Sequence, residues 1–392
     1  MTRLWQLRTV LPAAMFLAFA FDLGARLVPL GWLSYHTFEP ALRQWHTSIG
    51  PFEPGRVVVK EHAYGDLGVL GNLHSFREYR RQEFRVDQLG YRNSPLPDGT
   101  TYAGIVLGDS FVIGIDEPDE FTLPGQLTKL SGAHYYNAGS GPFPPLDTLA
   151  KIASRLRVSS GVVVVELLER RTRLAPSPLQ MVAKPAPRPS TSVLPAIFAP
   201  VGRLLALKLE IQSRFPSPGR ILCQRIFKQV QDGVILPNPY ASRVFREKLI
   251  NGDELLIYPE DLDQVGNIDA LSTGWSSLVA AFRDRLAEQN LKVVVLIVPN
   301  KFTVYAPLSQ TTLNDPGGAP LLETLENKLR SRGVPVVNVT SAFRREAANR
   351  LPRHEYLYWR DDTHWNASAI QIAAELVWRE IQKVEGKEVT KR

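Results

Sequence analysis

Two residues far apart in the chain, Ser110 and His364, have the types and settings that acyl transfer requires. Ser110 follows the apolar run 105–107 and the pair Gly108-Asp109, which predicts a serine at the end of a buried strand with its N–H at a helix start. A serine hydroxyl is a weak nucleophile until a neighbouring base removes its proton. His364 has the best setting for that task among the seven histidines, because it precedes the predicted C-terminal helix and has carboxylates beside it.

Asp361 and Asp362 are the carboxylates that could orient His364. The segment 360–366 has a second interpretation, in which its Asp and Asn side chains only cap the helix that begins near Ala367. Gly-Asp-Ser by itself also fits an ordinary helix cap. The two segments together favour catalysis, since an early serine combined with a late Asp-x-His in an α/β chain is far rarer than either part alone.

The elements that must position these residues follow an alternating pattern. Apolar runs rich in β-branched residues at 162–165, 293–298 and 334–339 predict strands buried on both faces, and helices are predicted at 275–288 and 320–332. Strands that alternate with helices indicate an α/β fold with a parallel sheet, whose ligand sites lie beyond the carboxyl ends of the strands. Ser110 falls at such an end.

Composition narrows the function classes. A chain of 392 residues with an ordinary apolar share can bury a full core, and its 46 basic against 39 acidic residues favour an acidic polymer or a phospholipid surface. No basic stripe interleaved with aromatics is present, so a nucleic-acid partner is not expected. The single cysteine, Cys223, excludes an intrachain disulfide, and no residue cluster has metal-ligand spacing, so no metal is expected.

The N-terminal residues 1–33 predict a membrane anchor. Arg3 and Arg8 precede the apolar stretch 10–21, and hydrophobicity resumes at 27–33, which together favour an uncleaved inner-membrane helix with the rest of the chain in the periplasm. The alternative is a cleaved signal peptide, because Ala18-Phe19-Ala20 resembles a signal-peptidase site.

Four regions follow from these patterns. After the anchor, residues 34–83 are predicted to form a stalk and entry segment, and the α/β domain comprises residues 84–173 and 250–385. An insertion at 174–249 separates the two parts, Pro-rich from 176 to 200 and then helical and basic. The basic helical part could lie on a membrane or cover the site as a lid, and an ordinary packed insertion fits equally well.

Three blocks of the sequence resemble the SGNH/GDSL hydrolase superfamily: Gly108-Asp109-Ser110, Asn137-Ala138-Gly139, and Asp361 or Asp362 with His364. The resemblance implies a flavodoxin-like three-layer fold, with Ser110 as nucleophile, His364 as base, and the N–H groups of Ser110 and Gly139 in the oxyanion hole. The superfamily's Gly-x-Asn-Asp block is missing. The chain reads Glu-Leu-Leu-Glu-Arg at 166–170 instead.

The segment 166–170 resembles the SGNH-like proteins of alginate O-acetylation. Residues 299–305 and the Asp-Thr-His-Trp at 362–365 resemble the same proteins. The last match predicts that Asp362 orients His364. In those proteins the Asp-x-His block precedes the serine block, whereas here it follows. The resemblance implies an exported polysaccharide as acceptor, a multispanning membrane acyltransferase as acyl donor, and no cofactor.

Four further side chains are candidates for the site. Arg170 and Lys301 could steady an oxyanion or hold an anionic sugar, although Arg170 could equally form an ion pair with Glu166 or Glu169. Tyr305 and Trp365 could stack on a sugar, and packing is the alternative role for both.

Three functions therefore remain open. The first is a periplasmic O-acyltransferase, most simply an O-acetyltransferase, that acts through an acyl-Ser110 intermediate. The second is a carbohydrate esterase with the same machinery and water as acceptor. The third is a non-catalytic polysaccharide-assembly protein on an SGNH scaffold.

Overall fold

The computed structural model describes residues 49–71, 73–95, 97, 99–141, 143–176, 244–311 and 319–386, with scattered positions before residue 49. Most of the predicted anchor and the central part of the predicted insertion, 177–243, lie outside the described residues. Among the helices that are described, none combines the length and the apolar character needed to cross a membrane.

A five-stranded parallel sheet forms the centre of the protein. In chain order the strands of the whole described structure are β1 (Val57–Ala63), β2 (Arg80–Arg85), β3 (Tyr102–Leu107), β4 (His134–Asn137), β5 (Gly161–Leu168), β6 (Phe245–Lys248), β7 (Glu254–Ile257), β8 (Leu291–Val298) and β9 (Val336–Asn338). The parallel sheet has the order β4-β3-β5-β8-β9. This order is flavodoxin-like. After β3 the chain adds β4 on one side and then β5 on the other, and such folds bind their ligands where the strand order reverses, here between β3 and β5.

Helices cover both faces of the sheet. They are α1 (Asp66–Leu70), α2 (Ser110–Ile113), α3 (Leu123–Ser131), α4 (Leu146–Arg155), α5 (Glu169–Thr172), α6 (Ile268–Ala287), α7 (Lys301–Tyr305), α8 (Pro320–Ser331), α9 (Thr340–Arg350) and α10 (Ala367–Glu385). One buried cluster joins α3, α9 and α10 to one face, and a second joins α4, α6 and α8 to the other. Alternate residues of β5, such as Val163 and Val164, enter opposite clusters, which is why its sequence is continuously apolar.

Two small antiparallel ribbons flank this three-layer core. β1 pairs with β2, and β6 pairs with β7. β1 and α1 lie inside the segment expected to be a stalk, and the Gly68 N–H of α1 donates to the Asp361 carbonyl at 2.9 Å. This part of the expected stalk therefore packs against the loop that carries His364.

The predicted α/β class and parallel sheet are confirmed, and the predicted strands and helices correspond to β3, β5, β8, β9, α6, α8 and α10. β4 was not predicted from the sequence, because its four residues include His134 and Asn137 and lack a clear apolar run.

Candidate active site

A sharp strand-to-helix turn places Ser110 beyond the carboxyl end of β3. Ser110 is the first residue of α2, and the Asp109 carboxylate caps this helix by accepting the Phe111 N–H at 3.1 Å. A Cβ on Gly108 would lie 2.3 Å from Val112 and 2.7 Å from the Glu166 carboxylate, so only glycine fits there. Within the part of the chain that the structure describes, the Ser110 N–H has no hydrogen-bond partner.

His364 connects Ser110 to a buried carboxylate. Its Nε2 lies 2.7 Å from Ser110 Oγ, and its Nδ1 lies 2.6 Å from Asp362 Oδ1. The same Asp362 oxygen accepts the His364 backbone N–H at 2.8 Å. This geometry fixes the imidazole so that Nδ1–H donates to Asp362 and Nε2 is left to accept the Ser110 proton.

Asp361 holds a different position. Its Oδ2 accepts the backbone N–H groups of Gly65 at 2.7 Å and Glu78 at 3.0 Å, and its Oδ1 lies 3.1 Å from Arg80 Nη1. The side chain is fully buried. Asp361 therefore joins residues 65–80 to the loop that carries His364, and it does not cap the helix that begins at Ala367, whose cap is Asn366.

The part of the chain before the parallel sheet contributes two further charged groups, Asp66 and Arg80, neither of which was predicted from the sequence. Asp66 of α1 accepts both the backbone N–H of Thr363 at 2.8 Å and its hydroxyl at 2.7 Å. Arg80 of β2 lies 3.5 Å from Asp362 Oδ2 and stacks over the Trp359 ring at 4.3 Å. These contacts fix the part of the loop that leads into His364.

Arg80 also neutralises part of a dense group of carboxylates. Burial opposes its charge, but Asp116, Asp361 and Asp362 outweigh burial and raise the pKa of Arg80 above its ordinary value. Glu117, nearby, accepts the Trp359 indole N–H at 3.0 Å. Burial, assisted by Asp116, raises the pKa of Glu117 to about 7.

The same carboxylates act on His364. Burial of the imidazole is the largest influence and disfavours the charged ring, but Asp362, Asp66 and Asp116 outweigh it. Together, these carboxylates raise the pKa of His364 to about 9. The carboxylates therefore favour the charged imidazole, which is the form that His364 takes when it accepts the Ser110 proton.

The predicted oxyanion hole is only partly reproduced. Ser110 presents its N–H, but the Gly139 N–H donates to the Asn137 side chain at 2.9 Å and so is already used. Asn137 in turn donates to the Val112 carbonyl at 2.9 Å, which locks this loop against α2. The assignment of Gly139 as an oxyanion donor is corrected, and its block has a structural role in this conformation.

Arg170 is also engaged away from Ser110. Its Nε lies 2.9 Å from Asp261 Oδ1 and its guanidinium stacks over Tyr258 at 4.6 Å, so it pairs with neither Glu166 nor Glu169. The assignment of Arg170 to the oxyanion hole is corrected accordingly. Its neighbour Arg171 lies beside the serine turn instead, with Nε 3.4 Å from Asp109 Oδ2 and the side chain 57% exposed.

Lys301, Tyr305 and Trp365 are buried, and their polar atoms are satisfied inside the protein. Lys301 Nζ lies within hydrogen-bond distance, 2.7–3.0 Å, of four backbone carbonyls, which share its three N–H groups: those of Leu256, Trp359, Arg360 and Asp362. The Tyr305 hydroxyl accepts the Leu357 N–H at 2.8 Å, and the Trp365 indole donates to the Phe111 carbonyl at 3.1 Å. The prediction that these three bind substrate is corrected to a packing role.

Among the described residues, one set has possible ligand atoms close enough together for a metal ion. It consists of Asp66, Asp362 and His364, whose ligand atoms all lie within 4.8 Å of one another. Each of these side chains already binds a neighbour: Thr363 for Asp66, His364 for Asp362, and Ser110 for His364 Nε2. We therefore interpret the set as a hydrogen-bonded network.

Comparison with known families matches the C-terminal part of the chain. Residues 255–392 match the family model of the SGNH hydrolase-like domain of the acetyltransferase AlgX. The matched range includes Asp362 and His364, and Ser110 lies before it. A search of curated proteins gave no significant match. The resemblance to the SGNH-like proteins of alginate O-acetylation is thereby confirmed for residues 255–392 of the chain.

Proposed function

We propose that this protein is an O-acyltransferase, in the simplest case an O-acetyltransferase, that works through an acyl-Ser110 intermediate. The observation that carries the proposal is the continuous chain from Ser110 Oγ to His364 at 2.7 Å and from His364 to Asp362 at 2.6 Å. A domain match to the acetyltransferase AlgX supports the same class of reaction.

The first half-reaction forms the acyl-enzyme. Ser110 Oγ attacks the carbonyl carbon of an acyl ester while His364 Nε2 takes the hydroxyl proton, and Asp362 stabilises the resulting imidazolium. The carbonyl oxygen becomes an oxyanion, for which the unpartnered Ser110 N–H is a suitable donor. When the tetrahedral intermediate collapses, the bond to the leaving alkoxide breaks and His364 returns the proton to it.

The second half-reaction transfers the acyl group to an acceptor. His364 Nε2 now removes the proton of an acceptor hydroxyl, whose oxygen attacks the acyl-Ser110 carbonyl, and Ser110 leaves with the proton from His364. A sugar hydroxyl gives O-acylation, and water gives hydrolysis. Since the same groups serve both outcomes, acceptor binding decides between transferase and esterase.

We also propose the cellular setting that this chemistry requires. The acceptor is an exported polysaccharide, and the donor is an acyl group delivered by a multispanning membrane acyltransferase. The Arg-flanked apolar N-terminus is proposed to hold the domain at the periplasmic face of the inner membrane. A C-terminal alkaline phosphatase fusion should be active in bacteria, and an inactive fusion with an active cytoplasmic reporter would overturn this placement.

The activity is tested with purified protein and an activated acetyl ester, with and without oligosaccharide. Mass spectrometry follows acetyl-Ser110, and sugar O-acetylation is measured in the same samples. Ser110→Ala should lose both signals, whereas Ser140→Ala is the matched control, because Ser140 is exposed and binds the Gly108 carbonyl through its backbone N–H alone. Acetate as the only product, whatever acceptor is offered, establishes the esterase, and full activity of Ser110→Ala rejects the mechanism.

A further inference from the structure

Glu166 is a buried carboxyl group directly beneath the serine turn, and the proposed reaction does not use it. It lies near the end of β5, paired with Leu296 of β8, and is only 1% exposed. Its Oε2 accepts the Asp109 N–H at 3.1 Å, which links it to the residue that precedes Ser110. The missing side chain of Gly108 leaves the space that this carboxylate occupies.

A charge on Glu166 would have little compensation. Among the described residues its Oε1 has no hydrogen-bond partner, and no cation lies within ion-pair distance of either oxygen. A buried, unpaired carboxylate costs several kcal/mol, and the usual response is to retain the proton. Burial, followed by the like charge of Asp109, raises the pKa of Glu166 well above its ordinary value.

The surrounding charges act in opposite directions: Asp109 raises the pKa of Glu166, whereas Arg171 and His364 lower it, and burial outweighs these two cations. The groups that act on Glu166 are Asp109 in the serine turn, Arg171 of α5 and His364 in the histidine loop, and Tyr358 lies within its electrostatic reach. An ionised Glu166 would stabilise the imidazolium of His364 further, so that less of the neutral imidazole, the form that accepts the Ser110 proton, would be present at neutral pH. A protonated Glu166 avoids this effect and still accepts the Asp109 N–H.

We infer that Glu166 is a positioning residue that works as an uncharged carboxylic acid, fixing the Asp109 N–H and thereby the first turn of α2, which presents the hydroxyl and N–H of Ser110. This inference rests on the proposed function for its kinetic consequence. The charge state is a separate property, which can be measured without substrate.

The test compares Glu166→Gln with Glu166→Ala in the full-length protein. Glutamine keeps an uncharged acceptor of the same shape, whereas alanine leaves the buried Asp109 N–H unpaired. We expect Glu166→Ala to lower kcat by about tenfold or more with a smaller change in KM, because the unpaired Asp109 N–H would no longer hold the first turn of α2 and the Ser110 hydroxyl in place. Glu166→Gln should restore kcat to within about threefold of wild type and leave the pH midpoint of kcat/KM unchanged, since no charge is removed.

An infrared difference spectrum, wild type minus Glu166→Gln at neutral pH, measures the charge state directly. We expect the carbonyl band of a protonated carboxylic acid, and carboxylate bands in its place would overturn the inference. A downward shift of the pH midpoint in Glu166→Gln, or wild-type kcat in folded Glu166→Ala, would also overturn it. If Glu166→Ala does not fold, the spectrum and Glu166→Gln still decide. Failure of the proposed function is recognised separately, by Ser110→Ala retaining activity.

Discussion

The carboxylate of Asp66 accepts two hydrogen bonds from Thr363, the residue immediately before His364. The two residues are 297 positions apart in the chain, so the loop that carries the candidate base is fixed by a helix at the opposite end of the described sequence. Asp66 also belongs to the carboxylates that raise the pKa of His364. One side chain therefore contributes both to the position and to the basicity of the imidazole.

Asp66→Asn should shift the pH dependence of the reaction. Removing this negative charge lowers the pKa of His364, because Asp66 favours the imidazolium, and the rising limb of kcat/KM should move to lower pH. Asparagine keeps one acceptor for Thr363, so a folded protein is expected. Glu61→Gln is the matched control, since Glu61 is exposed and pairs with Arg81 on the outer ribbon. An unshifted limb in Asp66→Asn would contradict the electrostatic role.

Asp362→Asn and Asp361→Asn should have different consequences. Asp362 accepts from His364 Nδ1 at 2.6 Å, so its amide variant should lower kcat by orders of magnitude, roughly 10³-fold or more, with the fold intact. Asp361 binds two backbone N–H groups and Arg80, so its variant should mainly lower the free energy of unfolding. Kinetics and urea denaturation on both proteins separate these effects. The reverse pattern would assign the orienting role to Asp361.

The activity should increase with pH through the neutral range. His364 must be neutral to accept the Ser110 proton, and a pKa of about 9 in the free protein leaves it protonated at pH 7. We expect kcat/KM to rise about tenfold per pH unit below that value and to level off near pH 9. Ser110→Ala supplies the blank for spontaneous ester hydrolysis. A plateau already reached near pH 6.5, the ordinary histidine value, would show that the carboxylates do not act on His364 as described.

Lys301→Met should destabilise the protein. Methionine has a similar length but leaves four buried carbonyls without their shared donor, so we expect a loss of about 3–5 kcal/mol in the free energy of unfolding. Lys292→Met is the control, because Lys292 is exposed and donates to the Val384 carbonyl. A raised KM for the acceptor with unchanged unfolding by urea would restore a substrate-binding role to Lys301.

Sequence patterns identified the core better than the site's surroundings. Continuous β-branched runs predicted β5 and β8, because strands buried on both faces are apolar along their whole length. The sequence around Ser110 and His364 predicted that these two side chains contact each other. The roles of Asp66 and Arg80 could not be predicted, because they depend on long-range contacts between short, polar segments. Lys301 was misassigned since a lysine after a strand looks exposed, and only the folded loop reveals its four carbonyl partners.

Arg170 and Arg171 are adjacent, but only Arg171 should influence catalysis. Arg170 is held by Asp261 and Tyr258, whereas Arg171 lies against Asp109 with more than half of its side chain exposed, so its charge can reach an anionic group bound beside Ser110. Arg171→Gln should therefore lower kcat/KM by about two- to fivefold, the loss expected for one exposed charge near a developing oxyanion or an anionic acceptor, while leaving the free energy of unfolding nearly unchanged. Arg170→Gln should show the opposite pattern, since it leaves the buried Asp261 carboxylate without its ion pair.

Parallel measurements of Arg171→Gln with a neutral and an acidic oligosaccharide acceptor distinguish the two sources of the effect. A loss confined to the acidic acceptor assigns Arg171 to acceptor binding, and an equal loss with both assigns it to the oxyanion. Wild-type kcat/KM with both acceptors in Arg171→Gln would remove this residue from the site.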